Sequence, residues 1–334
     1  MDPLSQGILG GSASLSTAKK THLMLAVLCG VLAGMAPDLD ALIRSEDDPL
    51  LYLEYHRQFT HALIFIPFGA LICAVFFRLT FARHLPFNRI YLYSFVGYAT
   101  HGLLDSCTTY GTQLFWPFSN TRVAWHTISI IDPLFTLPLI LIVVIGVLRR
   151  SHRWGYVALS WAFCYLCLGA WQGHRAEHFG EQLAASRSHI PVRLEAKPSF
   201  ANILVWKIIY EHKGWYYVDA VRMGLNSKFY PGQAVKKLDI GRDLPWLQSD
   251  TQQAADLERF RWFSNDYLAL SDKRDNFVID MRYSMLPNEV DGLWGIQFTP
   301  GSAPEEHVEF IWDRAVSKQK QQQLMQMLLG RTFE

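Results

Sequence analysis

Between residues 20 and 172 the chain passes through five apolar stretches, close to Leu23–Ala36, Ala62–Phe77, Ile90–Leu104, Ile128–Leu148 and Trp154–Trp171. A backbone that crosses hydrocarbon has to satisfy its own hydrogen bonds, so stretches crowded this closely point to a helical bundle. A spanning helix needs about 20 predominantly apolar residues; the fourth stretch reaches that length and the fifth comes close. The first three are shorter and must borrow flanking residues, tilt, or pack inside the bundle. The expectation is a multi-pass α-helical membrane domain of about five spans over residues 1–172. Ahead of the first span, Lys19 and Lys20 followed by an apolar run ending in "AGMA" look like a signal peptide. Pro37 directly after Ala36 opposes cleavage there, so the span is read as retained and residues 3–16 as a further short or half-inserted helix.

Lys and Arg set the orientation, because short cytoplasmic loops collect them. One side of the expected bundle receives Lys19, Lys20, Arg78, Arg83, Arg89, Arg149, Arg150 and Arg153, and the other only Arg44, Arg57 and Arg122. The first side is therefore read as cytoplasmic, with everything after Trp171 facing outward from an inner membrane. A net charge of +1 without a large basic block excludes a nucleic-acid partner. All five cysteines lie in the apolar half, so no disulfide framework holds the polar half. Cys164 and Cys167 form a CxxC inside an apolar stretch with no partner pair, and are read as small core residues.

Polar residues then fall where the orientation makes them most informative. "GMAPDLD" puts Asp38 and Asp40 at the outer end of the first span, and "HRQFTH" puts His56, Arg57, Thr60 and His61 at the outer start of the second. "THGLLDSCTTYGT" puts His101 and Asp105 near the outer end of the third, and "WHTISIIDP" puts His126 and Asp132 at the outer start of the fourth. All four clusters gather on one side, although only Lys and Arg were used to assign it. His101 and Asp105, four apart, share one helix face and could chelate one ion. Arg57 and His61, also four apart, set a guanidinium beside a possible ligand. Asp38 and Asp40, two apart in extended chain after Pro37, can point the same way. An aspartate at mid-bilayer costs on the order of 2.5–3.5 kcal/mol, and a bound cation neutralises several at once. Each residue has a plainer reading: Asp38 and Asp40 as caps of the next turn, His61 as an interfacial histidine, His126 as a loop residue, Asp132 before Pro133 as a helix start.

The ordered set "MDPLSQGILG", "GMAPDLD", "HRQFTHAL" and "HGLLDSCTTYGTQLFWPFS" followed by "DP" resembles the YdjM-type family of membrane-bound, metal-dependent hydrolases, which includes LexA-regulated members. The resemblance covers residues 1–150 and implies inner-membrane hydrolases whose histidines and aspartates ligate metal. Carried over, the ligand candidates are Asp38, Asp40, His61, His101 and Asp105, with His56 and Arg57 nearby. One departure stands out: where such proteins commonly begin with a Thr-His pair, this chain has Ser5 and Gln6. Either the site holds fewer ligands here, or that position stands behind the ligands.

After Trp171 the pattern changes. "HRAEHFGEQLAASRSH" reads as a polar helix, a linker over residues 173–190, and residues 191–334 as a soluble α+β domain with an antiparallel sheet. "ANILVWKIIYEHKGWYYVDAVRM" alternates about a Lys-Gly turn, as a hairpin does. "NFVIDMRYSM", "LWGIQFTP" and "EEHVEFIWDR" read as strands, and "TQQAADLERFRWFSNDYLAL" and "SKQKQQQLMQMLLG" as helices. "HRAEH" (His174–His178) fits the HxxEH pattern of inverted zinc proteases, but that fold is absent around it.

These readings converge on a metal-dependent hydrolase acting at the outer interface on an ester or phosphoester of a membrane lipid or lipid-linked molecule. One or two divalent ions are expected, zinc as the leading choice with manganese or iron as alternatives, since mixed His/Asp donors suit all three. In that scheme the metal lowers the pKa of bound water. Asp40 or Asp132 takes the proton, Arg57 and Thr60 hold the substrate, and His56 protonates the leaving group. Rival classes are a transporter, which would spread polar groups along a path through the membrane, and a non-enzymatic assembly or regulatory protein with a structural metal.

Overall fold

The computed structural model describes residues 1–313 and 317–332. Arg314, at the end of the last expected strand, and Glu334 lie outside the described residues. The chain forms two compact units. One comprises Met1–Leu42, Tyr55–Trp171 and Phe200–Asn202, and the other Ile43–Glu54, Gln172–Ser199 and Ile203–Glu334.

The first unit is helical. Helix α1 (Pro3–Thr17) starts on an Asp2 cap that accepts from Ser5 N at 3.0 Å, with proline in its first turn. It is a complete helix of 15 residues, and most of it is buried against its neighbours. Helix α2 (Leu23–Met35) runs into a 3-10 turn at Ala36–Leu42. Beyond the short α3 (Leu51–Tyr55), two 3-10 turns at Phe59–His61 and Leu63–Phe65 lead into α4 (Ile66–Leu79). Helix α5 (Phe87–Ser106), α6 (Pro133–Leu148) and α7 (Arg153–Ser186) follow. Small residues let the centre of this bundle close: a Cβ on Gly30 would stand 2.1 Å from Ser14 Oγ and 2.4 Å from Gly10 O. Gly30 and Gly34 thus form the small-xxx-small face on which α1 and α5 ride.

Among the described residues, two helical segments are long and apolar enough to cross a membrane, Leu23–Leu42 and Arg153–Ser186, and the bent pair Leu51–His61 with Leu63–Leu79 makes a third if counted as one span. The fourth sequence stretch falls short because Asp132 caps α6 through Leu134 N and Phe135 N, leaving residues 128–132 outside a helix of 16 residues. Helix α5 has the length, at 20 residues, but carries Arg89, Ser94, Thr100, His101 and Asp105. Cys164 and Cys167 correct another expectation: both are exposed on α7 rather than packed in the core.

The second unit carries two four-stranded antiparallel sheets among the described residues, where the sequence suggested one. The first is a meander of β1 (Arg193–Pro198), β2 (Val205–His212), β3 (Trp215–Met223) and β4 (Ser227–Lys236). Lys213 and Gly214 both take positive φ, so the expected Lys-Gly turn joins β2 to β3. Helix α8 (Ile240–Asp243) and α9 (Gln252–Phe263) precede the second sheet. That sheet consists of β5 (Leu268–Leu270), β6 (Phe277–Asp280), β7 (Trp294–Gln297) and β8 (Glu309–Trp312), and α10 (Lys318–Leu328) follows. Residues of both sheets, among them Ile209, Tyr216, Val218, Ala269, Phe277 and Ile279, share one core.

Candidate metal centre

Helix ends build the site. The C-terminal ends of α2 and α5, the turns before α4 and the first turns of α1 bring their polar residues together. Asp38, His61, His101 and Asp105 each offer one donor atom, and these four atoms all lie within 4.8 Å of one another. The two Nε2 atoms of His61 and His101 face each other at 2.9 Å. Asp38 Oδ1 stands 3.5 Å from the first and 3.4 Å from the second, and Asp105 Oδ2 stands 3.3 Å and 3.7 Å from them. Four donors around a tetrahedral ion with bonds of about 2.0–2.1 Å are separated by ~3.3 Å, so these distances are the edges of such a polyhedron.

The tautomers agree with that reading. His101 Nδ1 lies 2.6 Å from Gly34 O, a carbonyl left open at the end of α2, and can only donate to it. His61 Nδ1 lies 3.2 Å from Asp40 Oδ2 and 3.0 Å from Thr60 Oγ1. With both Nδ1 protons so placed, both Nε2 atoms are lone pairs pointed at one spot, which is the carboxylate- or carbonyl-backed arrangement of metal-bound histidine. Asp105 Oδ2 is buried and accepts no hydrogen bond among the described residues, although Arg57 Nε is 2.9 Å away as an ion-pair contact. A cation among these atoms supplies the missing partner. The donor set therefore fits a divalent ion.

Asp40 sits elsewhere than the extended-chain reading placed it. In the 3-10 turn, residues two apart diverge, so Asp38 faces the two histidines while Asp40 faces the "HRQFT" segment. Its Oδ1 meets His56 Nδ1 at 2.7 Å, and its Oδ2 accepts from Arg57 N at 3.0 Å and Thr60 Oγ1 at 2.7 Å. Asp38, Asp40 and His56 also fall within ligand reach of one another. Both oxygens of Asp40 are engaged, so it backs His61 and His56, while it also remains in a candidate ligand group with Asp38 and His56.

Arg57 is likewise not one helical turn before His61. Its φ of 65° places it in a left-handed turn, held by the bond from its amide to Asp40. The guanidinium donates to Thr108 Oγ1 at 3.0 Å and lies 4.6 Å from the Tyr110 ring centre. Asp132 is taken up by its capping role and by Tyr165 Oη, 2.9 Å from each of its oxygens. Gln6 is fully buried beside the centre: its Nε2 donates to Asp105 Oδ1 at 2.8 Å, and its Oε1 has no partner. The Met1 amino group contacts the same carboxylate oxygen. The glutamine thus stands behind a ligand. His178 of "HRAEH" is exposed and hydrogen-bonded to Glu181 and Gln182, and neither it nor His174 joins a three-ligand group among the described residues.

A helical unit with apolar candidate spans and a buried His/Asp cluster at one end defines a membrane protein able to hold a metal ion. The family described as YdjM inner membrane protein matches residues 1–176, more than half the chain, and the chain belongs to that family. It is 31% identical over 128 residues to YfhP of Bacillus subtilis (strain 168), covering 37% of this chain and 38% of that protein. It is 32% identical over 108 residues to the inner membrane protein YbcI of Escherichia coli (strain K12), covering 31% of this chain and 61% of the relative. The chain thus spans less than two thirds of either relative's length. No solved structure matches it.

Proposed function

We propose that this protein is a membrane-bound, metal-dependent hydrolase that cleaves an ester or phosphoester of a lipid or lipid-linked substrate at the outer face of the inner membrane. The observation that carries this reading is the pair of Nε2 atoms 2.9 Å apart, each ring backed at Nδ1 by a second group. In this reading α5 and α6 complete a bundle of about five spans around the shorter helices, packed where α1, α2 and α5 interlock. The excess of Lys and Arg at the opposite ends supports an extracytoplasmic site and an extracytoplasmic second unit.

Asp38, His61, His101 and Asp105 would hold the ion, zinc first among the alternatives, and an ion there supplies Lewis acidity that activates water at neutral pH. The remaining steps belong to the chain. Asp40 fixes the His61 ring and holds the Arg57 amide, which sets the turn that carries both. Arg57, paired with Asp105, brings a fixed positive charge to the side where a phosphoryl or carbonyl oxygen gains charge. His56, with Nδ1 on Asp40, can pass a proton through its other nitrogen to the leaving group. Asp38, whose side chain is 25% exposed while the other three donors are buried, marks the side from which substrate enters.

That depth of burial also favours a second reading, a structural metal in a non-enzymatic assembly protein. Incubating the purified protein with extracted membrane lipids, with and without chelator, separates them. Chelator-sensitive release of head groups or acyl chains is expected, and a metal-loaded protein that turns over no lipid ester would leave the structural reading.

A further inference from the structure

The segment Ile43–Glu54 links Asp40 to His56 along the chain, yet it belongs to the second unit. One arginine explains much of this. Arg259, on α9, donates from Nη1 and Nη2 to the two oxygens of Asp48 at 2.9 and 2.8 Å, and from Nε to Glu54 Oε1 at 2.5 Å. The same Nη1 reaches Asp256 Oδ1 at 2.9 Å, and Asp256 is fully buried. Its other oxygen accepts from His307 Nδ1 at 2.8 Å and Val308 N at 3.2 Å. Asp48 closes the segment on itself as well: its Oδ1 accepts from Leu50 N at 3.0 Å, and Ser45 Oγ accepts from the amides of Asp47 and Asp48. Leu50 and Leu53 are buried. The segment is therefore a docked element rather than a free loop, and a bidentate guanidinium fixes its position more tightly than a point charge would.

The two ends of this docked element run directly into the candidate metal centre. Upstream are Asp38 and Asp40; downstream are His56, Arg57, Thr60 and His61. We propose that Arg259 is a positioning residue for that centre: by latching Asp48 and Glu54 it fixes the segment that joins the Asp38/Asp40 turn to the His56–His61 turn, and with it the spacing of those turns along the chain. The inference concerns the geometry of the turns and rests on the metal-site reading only for its effect on metal.

The test uses the full chain in detergent or nanodiscs and compares wild type, Arg259→Ala, Arg259→Lys and the charge swap Arg259→Asp with Asp48→Arg. The first readout is hydrogen exchange at the Arg57 amide, whose bond to Asp40 Oδ2 reports the spacing whether or not metal is present. Exchange there should be about tenfold faster in Arg259→Ala, intermediate in Arg259→Lys, and restored toward wild type in the swap, while β2 and β3 stay protected. The second readout is metal affinity by chelator competition, expected about tenfold weaker in Arg259→Ala, at the lower end for loss of an orienting partner. Unchanged Arg57 exchange in Arg259→Ala overturns the proposal, as does faster exchange without any loss of metal affinity in a wild type that binds metal. A wild type that binds no metal but shows the exchange pattern would sink the hydrolase reading and leave the latch standing. If Arg259→Ala fails to fold, the Lys variant and the swap carry the same comparison.

Discussion

Asp40 illustrates how far residue type alone can be read. A carboxylate two positions from Asp38 looks like a second ligand, but the 3-10 turn directs it to His56, the Arg57 amide and Thr60. Replacing it with Asn keeps the volume and removes the charge that backs His61. Metal affinity measured by chelator competition should fall by roughly 10–100-fold, with helical content unchanged. Affinity equal to wild type would mean that Asp40 does not orient His61. Arg57→Lys keeps a charge beside Asp105 but loses the planar fork and the contact over Tyr110. Turnover of a lipid ester should drop while bound metal stays near the wild-type level. Metal loss in Arg57→Lys would show instead that the guanidinium mainly holds Asp105. The i, i+4 pair His101–Asp105 was legible because a helix fixes its geometry. The left-handed turn at Arg57 and the buried Gln6 brace were not, since both depend on partners far along the chain.

At the scale of elements, apolar runs located α2 and α7 well, but polar residues lower the hydropathy of α5, and the Asp132 cap leaves α6 at 16 residues, shorter than a plain span. What closes the bundle is the glycine face. Gly30→Leu would drive a side chain into Ser14 and Gly10 O, and overpacking of this kind costs about 1–3 kcal/mol or more. A clear drop in thermal stability in detergent is expected; an unchanged melting temperature would mean that α1 is not packed there. In the second unit the β2–β3 hairpin was readable from its Lys-Gly turn, whereas β4, with "PGQ" inside it, was not read as a strand. It is an edge strand with a bulge: the register shifts between Val218 and Ala220, and Gly232 N donates to Asp219 Oδ1 at 3.0 Å. Lys207 on β2 is buried, donating to Ser284 Oγ at 2.9 Å. Burial, aided by the charge of Lys197 and opposed by Asp280, lowers its pKa from 10.5 to about 7. Between those two values the unfolded chain binds more protons than the folded one, so the stability of this unit should rise as pH increases from about 7 toward 10.5. Below that window the penalty is fully present. Denaturant-dependent hydrogen exchange of β2 and β3 should show this rise in wild type and a flatter profile in Lys207→Met; parallel profiles would mean that Lys207 is not the titrating group.

For the whole molecule, the sequence carried the membrane class and the division between an apolar first part and a sheet-rich second part, because both follow from composition and periodicity. It did not carry the assignment of Ile43–Glu54 to the second unit, which depends on Asp48 and Glu54 meeting Arg259 some 200 positions away. The proposed topology is tested by a reporter fused after Glu334, which should be active only outside the cytoplasm. Cytoplasmic activity would place the helix ends that carry the site on the inner face. The central claim, that Asp38, His61, His101 and Asp105 hold a metal ion, is tested most directly by elemental analysis of the purified protein beside His101→Ala. The account predicts at least one tightly held divalent ion per wild-type chain, and its loss from His101→Ala with the fold retained. Equal metal content in the two proteins would contradict it.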